Sequence, residues 1–168
     1  MRLRRVRRFA GDVFLAVAFG LWAAQATADQ QGQVVLQLQA EVRETLRTPE
    51  GREIARFVPA NVLSQGEVVY YTVRIRNPTS VYLKDVAVVQ RIPANTTYVA
   101  GSAAAPAADI EFSIDGGRTF HPPSQLLVNV EGRPVSADVA HYTHIRWRLR
   151  NALAPGAVAL ARFRAVFQ

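Results

Sequence analysis

The chain has 168 residues, no Cys, and 20 basic against 13 acidic side chains, a formal net charge of +7. The lack of Cys excludes disulfides, thiolate zinc sites, a cysteine nucleophile and a lipoprotein anchor cysteine. Five Arg and Asp12 fall within residues 1–28, which leaves 15 basic against 12 acidic residues beyond them, a balance too mild to announce a nucleic-acid binder.

Arg2, Arg4, Arg5, Arg7 and Arg8 make a basic head, Val13–Ala24 an apolar run, and Ala26-Thr27-Ala28 a small-residue site. This is the order of a secretory leader, with cleavage expected between Ala28 and Asp29. The apolar run is too short to span about 30 Å of hydrocarbon as a lasting helix. Residues 29–33 are polar and expected to fray. Residues 34–168 are expected to form one domain, long enough to be held by apolar burial without staples.

Period-two alternation then runs through the chain. Leu36, Leu38, Ala40 and Val42 alternate with polar residues, as do Val69, Tyr71, Val73 and Ile75. Glu53–Val58, Asp85–Ile92, Ile110–Ile114, Arg118–His121 and Leu126–Val130 read as further strands. The pattern returns in Ile145, Trp147 and Leu149 and in Ala161, Phe163, Ala165 and Phe167. Turn residues separate these runs at Thr48–Gly51, Ser64–Gly66, Asn77-Pro78, Asp115–Gly117, Glu131-Gly132 and Ala154–Gly156. Ala100–Ala108 is a small-residue loop with little to pack and is expected to be mobile. The sum predicts an all-β fold, an antiparallel β-sandwich of about seven to ten strands.

Phe112–Phe120 reads FSIDGGRTF and fits S-x-D-x-G-x-T-aromatic, which resembles the Asp-box hairpin of sialidases and other propeller proteins. A propeller needs several such blades, and this chain has one copy. The stretch is therefore expected to be a structural turn in which Asp115 accepts hydrogen bonds from amides. Gly116 and Gly117 would take conformations other residues avoid, and Ile114 and Phe120 would face the core.

Four pieces in order also resemble a bacterial surface module, domain of unknown function eleven, the conserved repeat domain. They are Gln65-Gly66-Glu67-Val68-Val69-Tyr70-Tyr71-Thr72 leading to Asn77-Pro78, then Lys84–Val88, then Arg91-Ile92-Pro93-Ala94-Asn95 through Gly101-Ser102, and Trp147 ahead of Leu153-Ala154-Pro155-Gly156. The likeness covers about 62–168. Arg91 stands where that module usually has Asp, and Asn95 where it usually has Gly. The resemblance implies an immunoglobulin-like sandwich and no catalytic residues.

Reaction chemistry finds little support. His141 and His144 lie three apart, which on a strand puts them on opposite faces, and with His121 alone besides them a catalytic zinc lacks ligands. Ser113, Ser124 and Ser136 are not in a nucleophile elbow. Asp109, Glu111 and Asp115 offer hard oxygens near loops, the place to look for calcium, although solvated surface acids are the simpler reading. No catalytic residue, metal or cofactor is expected.

Arginine carries the more suggestive pattern. Arg146, Arg148 and Arg150 share one strand face and Arg162 and Arg164 another, with the Pro155-Gly156 turn between them. The expectation is a hairpin that puts both rows on one surface, extended by Arg74 and Arg76 if their strand joins the same sheet, with Tyr70 available for stacking. Such a face takes anions by charge and bidentate geometry. Acidic polysaccharide or lipid headgroups are the fitting partners, and the lack of interleaved aromatics disfavours nucleic acid. The leading expectation of function is an exported, non-enzymatic structural, adhesive or protein-interaction module of the bacterial cell envelope, in the periplasm, on the outer surface or outside. An anion-binding envelope protein is the alternative. A narrower idea is that the amphipathic Leu36–Val42 adds to a neighbour's sheet edge.

Overall fold

The structure, a computed structural model, describes residues 34–168. The expected leader (1–28), its cleavage site at Ala26, Ala28 and Asp29, and the polar stretch 29–33 lie outside the described residues. Within them the chain is all-β. Ten strands form, β1 Val35–Arg47, β2 Glu53–Pro59, β3 Val68–Arg76, β4 Ala87–Arg91, β5 Thr96–Tyr98, β6 Ala108–Ser113, β7 Leu127–Val130, β8 Arg133–Ser136, β9 His144–Leu149 and β10 Val158–Phe167. The only helical turns among them are single 3-10 turns at Pro123–Gln125 and Val139–His141. No helix among the described residues is long and apolar enough to cross a membrane.

The strands build two stacked antiparallel sheets and a small ribbon. The larger sheet runs β2-β1-β3-β10-β5, the smaller β4-β9-β6, and β7-β8 pair alone. The predicted alternation explains the stacking. Val69, Tyr71, Val73 and Ile75 of β3 and Ala161, Phe163 and Ala165 of β10 are buried, and they face Val88, Ile145 and Trp147 of the smaller sheet. Phe163 stacks on Tyr71 at 4.7 Å between ring centroids and meets Trp147 across the layers at 6.1 Å. Burial of such aromatic side chains is worth about 2–3 kcal/mol each, so this contact adds several kcal/mol to what holds the layers together.

The aromatic contacts also fix which strand lies over which. Tyr98 of β5 touches Phe112 of β6, and Phe163 of β10 touches Trp147 of β9. By strand order β3 then falls over β4, and β1 and β2 extend past the edge of the smaller sheet. The alternation in β1 therefore misleads in its first half. Leu36 and Leu38 point to the core side but remain 40% and 45% exposed, because the smaller sheet does not extend beneath them.

Three further expectations need correction. Arg118–His121 is not a strand; His121 makes an isolated bridge with Phe112, and the rest is irregular chain leaving the Asp115 turn. Ala100–Ala108 does not run free. Ala104 exchanges both backbone hydrogen bonds with Arg162 at 2.9 and 2.8 Å, and the Ala103 N–H donates to the Tyr98 hydroxyl at 2.9 Å. Small side chains let this segment lie flat against β10, so its lack of bulk is what docks it. The third correction is the largest. β9 and β10 do not form a hairpin; they lie in different sheets. A tight hairpin takes two to five loop residues, whereas Arg150–Ala157 carries Leu153, which is buried and pairs with Leu83 on the way across.

Asn77 organises that crossing. It is fully buried, and its amide N–H groups donate to the carbonyls of Val81, Leu153 and Ala154 at 2.8, 2.9 and 3.1 Å. Its Oδ1 accepts from the backbone and hydroxyl of Thr79. The backbone closes the same knot, because Asn77 N–H donates to Ala157 and its carbonyl accepts from Gly156. Ala154-Pro155-Gly156-Ala157 is a hydrogen-bonded turn with Gly156 at φ 70°, the conformation a type II turn requires at its third position.

Candidate functional site

The separation of β9 from β10 splits the predicted arginine surface in two, one on each outer side of the sandwich. The smaller sheet carries Arg146 and Arg148, with Arg150 just past the end of β9, and here Asp109 and Glu111, read as solvated surface acids with calcium as the alternative, are committed to ion pairs. Register places Glu111 opposite Arg146 and Asp109 opposite Arg148. Glu111 takes the Arg146 guanidinium at 2.7 Å while Phe120 lies under that guanidinium at 4.4 Å. Phe120 thus packs on the outer face and not in the core; Ile114 does pack against the core, as expected. Arg150 is paired with Asp109 at 2.6 Å, which lowers the Asp109 pKa, chiefly through the hydrogen bond, and raises that of Arg150. Of the three, Arg148 alone has no ion pair among the described residues. This face is largely neutralised from within.

The FSIDGGRTF turn is likewise internally satisfied. Asp115 accepts from the Thr119 backbone and hydroxyl, the Ser113 hydroxyl at 2.7 Å and the Arg118 N–H. These bonds, the Thr119 N–H foremost, drive its pKa far below the usual carboxylate range. Gly116 and Gly117 have φ of 80° and 88°, and Gly117 packs against the His144 ring. His141 sits in the exposed 3-10 turn, and His144 opens β9. Burial and the nearby Arg91 lower the His144 pKa. Among the described residues no group of three His, Asp or Glu is placed to hold a metal.

The larger sheet differs. β3 and β10 are neighbours, so Arg74 and Arg76 do join Arg162 and Arg164 on one outer face. The register arranges them in a way the sequence did not reveal. Arg76 stands opposite Val158, Arg74 opposite Leu160, Arg162 opposite Thr72 and Arg164 opposite Tyr70. Each of four successive levels therefore holds one guanidinium and no two oppose directly. Levels on one face are about 7 Å apart, so the row runs about 20 Å and steps from β3 to β10 midway. All four are exposed, and among the described residues none has an ion-pair partner. In water, neighbours at this spacing repel by only about 0.6 kcal/mol, which the fold bears easily.

The surroundings of the row mix polar and apolar side chains, with Val35, Val158 and Leu160 beside Gln37, Gln39 and Thr72. Arg74, Arg162, Thr72 and Leu160 line a shallow concavity of about 370 Å³ with Gln37, Gln39 and Glu41 of β1, and only the main chain of Leu38 reaches it, since that side chain points to the other face. Glu41 is the acid at its border. At the far end Tyr70, which shares a level with Arg164, meets Phe57 edge-on at 4.9 Å. The signal that would have found the row was the register of β3 against β10, which depends on the β9–β10 crossing. Comparison with protein-family models, curated proteins and solved structures gives no match to this chain.

Proposed function

We propose that this is an exported, non-enzymatic module of the bacterial cell envelope that holds a linear acidic polysaccharide along the outer face of its larger sheet. The unpaired row Arg76, Arg74, Arg162, Arg164 carries the reading. Four evenly spaced guanidiniums in line suit an extended polymer with regularly repeated carboxylates or phosphates better than a compact anion. The flanking Gln37, Gln39 and Thr72 offer amide and hydroxyl groups to sugar hydroxyls. Nucleic acid is disfavoured because, among the described residues, the Phe57–Tyr70 pair alone adjoins the row, where base stacking needs a series of open rings.

The immunoglobulin-like, conserved-repeat reading of the fold is part of the proposal, and the motif residues supply its support. Asn77 is the buried knot, Trp147 is fully buried in the smaller sheet, and Gly156 makes the required turn. Asn95, where the module usually has Gly, has φ 58°, a left-handed conformation in which Asn is the common alternative to Gly. The test is binding of the exported protein to an immobilised linear polyuronate, with neutral dextran as control. Binding should weaken steeply with salt and fall about tenfold or more in Arg74→Glu with Arg162→Glu. Equal binding to dextran, or binding indifferent to the double substitution, would rule the reading out.

A further inference from the structure

The first half of β1 has a partner on one side only. β2 pairs with Glu41–Arg47, and Ala60 adds a bond to the Ala40 carbonyl at 3.0 Å. From Val35 to Gln39 the strand pairs with β3, and among the described residues nothing lies on its other edge. Because the Ala40 carbonyl points to that open edge, alternation turns the N–H and C=O of Leu36 and Leu38 the same way. The same two residues present their side chains, 40% and 45% exposed, on the core side that the smaller sheet leaves uncovered. Open hydrogen-bonding edge and uncovered apolar face thus coincide. Sheet edges usually carry a charge, a Pro or a bulge that blocks further pairing, and Val35-Leu-Gln-Leu-Gln-Ala40 has none of these.

We propose that this edge pairs, antiparallel, with the same edge of a second copy of the chain. The segment suits itself as a partner. It has no charge to repel its twin, and an isologous contact brings Leu36 and Leu38 of both copies onto one side, covering each other. Each copy supplies the two N–H and two C=O groups that the other lacks. The strand stays paired at home with β3 while its other edge adds to the neighbour, so no strand is exchanged. A two-fold axis across the joined edge keeps both outer faces on the same side, so the larger sheets become one continuous surface. The contact is small by the standard of stable complexes, so the dimer forms reversibly.

Sedimentation equilibrium of the exported protein, from low to high micromolar concentration, tests this. The mass should rise from monomer toward dimer. Leu38→Lys should weaken self-association about tenfold or more by putting a charge at the apolar seam. Leu38→Pro should do the same by removing an N–H that points to the open edge and not to β3, whereas Gln37→Lys on the other face should change little. Circular dichroism would verify that each variant keeps its strands. A monomer at every concentration, or a dimer that both Leu38 variants leave intact, overturns the proposal. Polyuronate binding by the monomeric variants keeps this outcome separate from the function proposed above.

Discussion

Arg74 and Arg162 stand on neighbouring strands one level apart, on one outer face, with Arg74 opposite Leu160 and Arg162 opposite Thr72. The offset keeps the cations from facing each other directly and makes a line of what would otherwise be a clump. A line has a direction, and it runs along the strands.

That direction predicts a graded response to substitution. Arg74→Ala and Arg162→Ala, in the middle, should each weaken polyuronate binding several-fold. Arg76→Ala and Arg164→Ala should weaken it less, and each loss should flatten the salt dependence. Arg146→Ala should leave binding unchanged, because Glu111 already occupies that guanidinium. Affinity measured at several salt concentrations for the five variants checks all of this together.

Asn77 should be among the least replaceable residues. Asn77→Ala empties a fully buried site and strips one hydrogen bond each from the carbonyls of Val81, Leu153 and Ala154, which keep Thr79, Leu83 and Ala157 as second donors, a cost of about 2–3 kcal/mol. Asn77→Asp should be no milder, since a carboxylate cannot donate to three carbonyls. Urea unfolding of both variants is the measurement; an Asp variant of wild-type stability would remove Asn77 from its place at the crossing.

Stability should fall as pH is lowered, in two stages. His144 has a folded pKa below its ordinary 6.5, so folding disfavours its charged form. Its contribution is complete above that value and declines as pH falls through it. Asp115 has a folded pKa far below its ordinary 3.8, so its contribution holds down to that value and is lost below it. Asp115→Asn should flatten the acid limb of a thermal-midpoint profile, and His144→Phe the limb near neutrality. Profiles identical to wild type would mean that the hydrogen bonds of the FSIDGGRTF turn do not bear on folding.

The Glu111–Arg146–Phe120 group should behave as one unit. Arg146→Ala removes an ion pair and a ring contact together, about 1–3 kcal/mol for a half-buried group. A double-mutant cycle with Glu111→Gln and Arg146→Ala should show a coupling of about 1 kcal/mol. Additive losses would contradict the pairing.

Much of the fold could be read from the alternation itself, because β3, β9 and β10 have covered inner faces and period two reports burial directly. The sequence could not show the end of that cover. Leu36 and Leu38 look like core in one dimension and are exposed because the second sheet is two strands narrower. The crossing failed for a related reason. Pro155-Gly156 announces a turn faithfully, yet a turn says nothing of which sheet the next strand enters; Leu153 was the clue, an apolar residue in a stretch too long for a hairpin. An aromatic at position 120 reads as core, yet Phe120 is drawn outward by the guanidinium of Arg146. The arginine row is half legible: alternation identifies its members, but their neighbours depend on long-range register.

The most direct measurement is a backbone amide NMR titration of the protein with a short linear oligouronate. Shifts concentrated in Tyr70–Arg76 and Val158–Arg164, strongest near Thr72 and Arg162, are the predicted result. Shifts centred instead on His144–Arg150, or none at concentrations that saturate the immobilised polymer, would contradict the account.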